Sequence, residues 1–338
     1  MFVFIKTQKI EIYERKDYNV VLNHFLYNKR VKNHYESCAL CPRNCGVNRL
    51  KGERGFCGES ADLRIGAAVI HFGEEPPLTG TGGSGTVFIS GCNLRCAFCQ
   101  NYQISRGESG KGSALGRAVS PDEFVMICAA LRDKGAGNIN IVTGSHAVPG
   151  IIEGLAAAKK AGVSLPALWN SSAYESVQAL ELLSERVDVY LPDLKTLDSH
   201  IAAKYFNAPD YPQVAEAAVK KMMEMAGNPE KVIIRHLILP NHLDSTRRVL
   251  RWFAENASGR ASLSLMTQYT PASSGEKSIP DRYLSEEEYE TVLRWLNEFG
   301  IEDGFCQELV TGSDWLPDFR RVNPFPSELS VPVWHFAG

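Results

Sequence analysis

Seven of the chain's nine cysteines fall into two tight groups, and their spacing is the first chemistry the sequence offers. In the second group Cys92, Cys96 and Cys99 are separated by three residues and then by two, directly after the apolar run 86–89 and the pair Ser90-Gly91. Thiolates at that spacing can converge on one small inorganic cluster, but an iron–sulfur cluster usually takes four of them. Three leave one iron open to another ligand. The first group holds Cys38, Cys41 and Cys45, then Cys57 beyond an eleven-residue gap. Four thiolates close a site, so zinc and a second iron–sulfur cluster are both chemically reasonable there. Gly46, Gly52, Gly55 and Gly58 supply tight turns around it. Of the two remaining cysteines, Cys128 sits in a helical apolar pattern and reads as core, and Cys306 stands alone near the C-terminal stretch.

The bulk composition narrows the setting. The chain has 338 residues, 44% hydrophobic and 22% charged, with a net charge of -3. That describes one large globular domain with a small appendage and no basic footprint for nucleic acid. No stretch approaches the roughly 20 apolar residues that cross a bilayer. Lys6, Lys9 and Glu11 interrupt the apolar start before a signal-peptide core can form. A cytoplasmic location with no membrane partner is the expectation, and in a reducing compartment clustered cysteines read as metal ligands before disulfides.

The elements that must position these groups follow from periodicity. Residues 1–36 read as an N-terminal extension with a short amphipathic helix over 18–27. Residues 37–84 form the cysteine-rich metal-binding element and a linker, whose glycines 80–85 suit a close-approaching hairpin better than a phosphate loop because a strand follows. From 85 to 312 apolar strands and amphipathic helices alternate. Strands are expected at 86–90, 139–143, 166–170, 187–191, 232–239 and 262–267. Helices are expected at 121–135, 150–162, 174–185, 212–226, 244–256 and 285–299. Ser120-Pro121-Asp122-Glu123 and Ser285 with Glu288 carry capping-box signals. The alternation predicts an α/β fold, a partial (β/α)6 barrel, with an open doubly wound sheet as the alternative. Residues 313–338 read as an irregular tail anchored by Trp315, Phe319, Phe325 and Trp334.

In such a fold the functional groups gather where the strands end. The three-cysteine motif follows the first strand, and Thr143-Gly144-Ser145-His146 follows the second. Asn170, Asp193 with Lys195, Asn241-His242 and Gln268-Tyr269 follow the next four. Two histidines, His146 and His242, have the bland alternative of satisfied loop residues, and Asp193 with Lys195 that of a surface ion pair. Arg235 lies within an apolar strand and needs an anionic partner if buried. His236 beside it should face the other way.

On these residues the stretch 86–312 resembles the radical S-adenosylmethionine (SAM) core. The Cys-x-x-Cys-Pro-Arg-x-Cys-Gly-Val-Asn-Arg tract makes the chain similar to the pyruvate formate-lyase activating-enzyme-like subgroup. The resemblance implies a [4Fe-4S] cluster on Cys92, Cys96 and Cys99 whose open iron SAM chelates, with Asn93 and Phe98 shaping its surroundings. It implies SAM contacts from Gly144, Ser145, Asn170 and Asp193, with Lys195 pairing a carboxylate and His242 or Tyr269 lining the nucleoside or substrate end. Reduction by a low-potential donor such as a flavodoxin or ferredoxin would cleave SAM to a 5′-deoxyadenosyl radical that abstracts hydrogen, with a glycyl-radical enzyme as the substrate the subgroup resemblance implies. One departure stands out: relatives carry Gly-Gly-Glu where this chain has Thr143-Gly144-Ser145. Alternatives are radical modification of a peptide or small molecule, a non-catalytic iron–sulfur electron carrier, and a zinc-stabilised binding protein.

Overall fold

The computed structural model describes residues 2–6, 33–106, 114–271 and 279–338. The helix expected over 18–27 lies outside them. The strands are β1 (Phe2–Lys6), β2 (Arg64–His71), β3 (Ser84–Ile89), β4 (Arg117–Ala118), β5 (Ile139–Val142), β6 (Ala167–Ser171), β7 (Val189–Pro192), β8 (Ile233–Leu237), β9 (Ser262–Met266), β10 (Gly304–Gln307) and β11 (Ser330–His335). The helices are α1 (Pro76–Thr79), α2 (Tyr102–Ser105), α3 (Pro121–Asp133), α4 (Val148–Lys160), α5 (Val177–Leu183), α6 (Ser199–Phe206), α7 (Tyr211–Ala226), α8 (Leu243–Asn256) and α9 (Glu286–Glu298).

Local chemistry sets the helix starts. The Glu123 backbone N–H donates to Ser120 Oγ at 3.1 Å, and Pro121 occupies the first turn of α3, where no backbone donor is needed. Ser285 and Glu288 complete a reciprocal capping box on α9. All six expected strands and all six expected helices are present, within a few residues of their expected bounds.

The strands β3, β5, β6 and β7 pair in parallel, as do β8, β9 and β10. Parallel bridges Tyr190–Val232 and Asp193–Arg235 join the two runs. The result is an α/β sheet of partial-barrel type; among the described residues no ladder closes it. Three expectations change. Gly304–Gln307 adds a seventh parallel strand, so the barrel has more than six. Residues 64–71, expected in the linker, form β2, which pairs antiparallel with β3. The tail 313–338 is not irregular throughout, because β11 pairs with β2. Phe319 is fully buried among Val69, Phe88 and Ile104, as an anchor should be.

The connection from β2 to β3 plugs the inside of the curved sheet. Leu78 on α1 packs against Leu168, Val189, Leu191, Ile233 and Phe305, which are inward residues of four different strands. Beside it, buried Arg235 meets Glu75 through Nε at 2.9 Å, and both Glu74 and Glu75 through Nη2 at 2.5 Å. The anionic partner expected for Arg235 is therefore a pair of carboxylates. His236 faces the other way, bonding Leu194 O and Thr246 Oγ1. Gly82 and Gly85 lie so close to the backbone carbonyls of Gly135 and Asn138 that no side chain fits, which is the close approach expected of this hairpin.

Candidate active site

Each parallel strand delivers its following loop to one face, and the loop after β3 carries Cys92, Cys96 and Cys99. The Leu94 N–H donates to Cys92 Sγ at 3.4 Å, and Cys99 Sγ lies 3.5 Å from Ser105 Oγ at the end of α2. Burial raises the Cys92 thiol, and the neighbouring Cys96 and Cys99 raise it further, so the three sulfurs share one neighbourhood. Burial pushes Cys96 up to about 12, although the Lys195 ammonium opposes the rise. Thiols this reluctant to ionise in isolation become ligands when a metal supplies the counter-charge. Among the described residues, no three His, Cys, Asp or Glu converge tightly enough to hold a single ion. A cluster asks for something different, since its ligands ring a multi-atom body. Three neighbouring thiols with a cation beside them fit that demand.

Lys195 belongs to a fixed unit. Its ammonium contacts Asp193 Oδ2 at 2.5 Å, with both side chains about a fifth exposed. The Tyr211 hydroxyl shares its one proton between the carbonyls of Asp193 at 2.6 Å and Ser172 at 2.9 Å, and accepts from the Lys195 N–H at 3.0 Å. The pair thus sits on an anchored backbone with its charged ends toward the cysteine loop.

The loop after β5 makes a strained turn. Thr143 has φ 64, a region costly to a β-branched residue. A Cβ at Gly144 would lie 2.6 Å from Ile151 Cδ1 and from Trp169 Cη2, so only glycine fits. Ser145 is buried beside Glu175, a residue that sequence reasoning missed. Glu175 also accepts from Trp169 Nε1 at 2.8 Å and Ser171 Oγ at 2.7 Å. A carboxylate from the loop after β6 thus braces the turn that lacks the glutamate of Gly-Gly-Glu. Asn170 lies half-buried in β6, one residue before Ser171.

Aromatic rings line the other side. Phe98 meets Tyr205, Phe206 and Tyr269 edge-on at centroid distances of 6.0, 5.8 and 5.5 Å. The Tyr205 hydroxyl lies 2.8 Å from His242 Nε2. Burial lowers the His242 pKa, and Lys204 adds to the effect, so the ring is held neutral. The Tyr269 hydroxyl donates to Pro280 O, which leaves only its ring facing Phe98. Tyr205 lies on α6, a helix the sequence reading did not anticipate. Cys128 is core within α3, and Cys306 is buried in β10 with Sγ 3.8 Å from the Tyr289 hydroxyl.

Two residues expected at this site turn toward the first cysteine group. Asn93 is buried, donates to Tyr174 O at 2.6 Å, and places its side chain against the Cys41 sulfur. His146 is buried, with Nε2 2.7 Å from Ser90 O. Asn93 thus sits by Cys41, and His146 lines one pocket with Cys38, Cys41, Cys45 and Cys57.

The Radical SAM superfamily matches residues 86–253. The uncharacterized protein MJ0674 of Methanocaldococcus jannaschii is 32% identical over 276 residues, covering 80% of this chain and 77% of that protein. Among solved structures, Streptococcus suis SuiB bound to the precursor peptide SuiA aligns with a TM-score of 0.48 and 17% identity, over 64% of this chain and 46% of SuiB. The FeFe-hydrogenase maturase HydG from Carboxydothermus hydrogenoformans gives 0.48 and 16%, over 63% of this chain and 50% of HydG. The chain spans about half the length of those two proteins. It belongs to the radical SAM superfamily. It is therefore a radical SAM enzyme, and membership implies a [4Fe-4S] cluster and bound SAM.

Proposed function

We propose that Cys92, Cys96 and Cys99 hold the [4Fe-4S] cluster and that SAM binds over its open iron, between the 143–145 turn and the Asp193–Lys195 pair. The observation that carries this reading is the trio of neighbouring thiols with the Lys195 ammonium beside Cys96. When bound and reduced, the cluster would supply one electron to the SAM sulfonium, giving methionine and a 5′-deoxyadenosyl radical that abstracts hydrogen from the substrate.

The chain's own groups do the positioning. Backbone groups at Gly144 and Ser145 receive the methionyl end, backed by the Trp169 ring that Glu175 holds. Asn170 and Asp193 offer hydrogen bonds from adjacent strand ends, and Lys195 pairs with a carboxylate. Neutral His242 and the Phe98–Tyr205–Tyr269 rings border the nucleoside or substrate end and exclude water. The electron comes from a low-potential donor of flavodoxin or ferredoxin type, in a reducing cytoplasm where the thiols survive; among the described residues no helix is long and apolar enough to cross a membrane.

The N-terminal cysteine tract supports the pyruvate formate-lyase activating-enzyme-like subgroup, and with it a glycine of a partner protein as the substrate. Anaerobic reconstitution, reduction and addition of SAM should release 5′-deoxyadenosine. None from a fully loaded, reduced sample would overturn the reading. A backbone glycyl radical on a candidate partner would support protein activation, whereas product formed only from a free peptide or small molecule would exclude it.

A further inference from the structure

We propose that Cys38, Cys41, Cys45 and Cys57 hold a second iron–sulfur cluster in the cavity they line, and that it passes single electrons to the adjacent Cys92 loop. The four thiols are free and line one pocket together with Arg43, Arg49 and His146.

Unpartnered polar groups point to the same occupant. His146 is 2% exposed, and its Nε2 faces the Ser90 carbonyl, so that nitrogen carries the proton. Its Nδ1 is buried with a lone pair and no partner. An imidazole whose N–H is tied to a backbone carbonyl while its other nitrogen stays free is the arrangement behind metal-bound histidines. Arg43 Nη2 is likewise buried without a partner at the same cavity.

The charge balance adds a third argument. Arg49 is 1% exposed, and its guanidinium bonds the Ser60 and His146 carbonyls and reaches Cys38 Sγ at 4.0 Å. The guanidinium bonds only neutral oxygens, and the nearby Glu59 carboxylate is taken by Arg64, so this buried cation calls for a further anion. A thiolate-bound cluster provides it, with Arg49 as its counter-charge. Gly55 permits the packing, since a Cβ there would lie 2.5 Å from Cys45 Sγ.

The two cysteine groups touch. Asn93, the neighbour of Cys92, lies beside the Cys41 sulfur, and Arg43 Nε donates to Asn93 O at 2.9 Å. A Cβ at Gly91 would sit 3.0 Å from Cys57 O. Cys45 is the exposed member, so it marks the rim where a donor docks. One electron leaves a reduced flavodoxin- or ferredoxin-type donor, which is oxidised by one. It reduces the second cluster by one and then moves to the open cluster, with no bond or proton exchanged. This relay rests on the open-cluster reading, while the second cluster itself does not.

The test is metal, sulfide and Mössbauer analysis of the anaerobically reconstituted full chain. Two cubanes predict about eight irons per chain, and the C92A/C96A/C99A variant should keep about four. That variant isolates the second site, so its result is independent of the first reading. A variant that keeps no iron, or one zinc per chain in place of iron, overturns the second cluster. For the relay, C38S/C41S should slow reduction of the remaining cluster by reduced flavodoxin at least about tenfold while dithionite still reduces it. An unchanged flavodoxin-driven rate overturns the relay. Should C38S/C41S fail to fold by circular dichroism, Arg49→Met replaces it, and an unshifted midpoint potential of the second cluster then counts against the account.

Discussion

Replacing Arg235 with methionine should expose how the curved sheet tolerates charge in its interior. Arg235 is 6% exposed, and its guanidinium holds Glu75, which is 1% exposed, through two contacts and Glu74 through a third. At an effective dielectric near 20, each charge pair at this separation is worth about 4 kcal/mol before desolvation is subtracted. Removing one partner of a buried pair typically costs about 3–5 kcal/mol, because the remaining charge is stranded. Arg235→Met strands two carboxylates, so its loss at pH 7 should reach that range. The pH dependence gives a second handle. Burial raises the Glu75 pKa, but Arg235 more than offsets it, leaving the carboxyl below its ordinary value. In the native protein the contribution of Glu75 is therefore intact above about pH 4.3 and is lost as pH falls through the depressed value. Without Arg235, burial, the largest influence, is opposed only by Ser264 and the local backbone, and the native state then shifts toward the protonated acid. The variant's deficit should shrink as pH drops from 7 to 5. Urea unfolding followed by tryptophan fluorescence at both pH values measures this. A deficit under about 1 kcal/mol, the scale of exposed pairs, or one that grows on acidification, would refute the reasoning. The triple change of Glu74→Gln, Glu75→Gln and Arg235→Met should recover most of the loss.

Two further outcomes probe the SAM-facing turn. Gly144→Ala drives a methyl into the fully buried Trp169 ring at 2.6 Å and should cost about 1–3 kcal/mol of stability; SAM affinity measured by calorimetry should fall with it, and unchanged binding would remove this turn from the site. Glu175→Gln tests the brace through pH. Burial raises the Glu175 pKa, so ionising it costs native stability as pH rises above the ordinary value of about 4.3. The glutamine variant escapes that cost, and its stability relative to the native protein should improve from pH 5 to pH 7. A flat or opposite trend would mean that Glu175 is not held in the protonation-sensitive pocket described.

The parts of this fold that were legible in the sequence share a physical character. The strands 86–90, 139–143 and 232–239 are short apolar runs followed by amphipathic helices, and Ser120 and Ser285 mark the starts of α3 and α9. What escaped was short, continuously buried or decided by distant residues. β2 is buried along nearly all its length, so it shows no alternation to mark it as a strand. β10 has four residues, and β11 carries Pro332, which a sheet admits at an edge. The site followed the same division. Cysteine spacing announced two ligand groups, and the strand-end rule gathered Asp193 and Lys195. Nothing local to Asn93 indicated that its side chain would serve Cys41, a contact spanning half a hundred residues. Nor could the Ser145 substitution reveal that Glu175 would approach it from the next strand's loop. Arg49 did lie in view, at the end of the Cys45-Gly-Val-Asn tract, but its role depends on being buried without a carboxylate.

The central claim is that Cys92, Cys96 and Cys99 leave one iron open and that SAM occupies it. Electron–nuclear double resonance on the reduced C38S/C41S protein, or on the full chain should that variant not fold, tests it with SAM labelled with nitrogen-15 at its amino group. A hyperfine coupling from the label that disappears in the Cys96→Ala variant is the expected result. A fully loaded, reduced cluster showing no coupling to bound SAM would contradict the account.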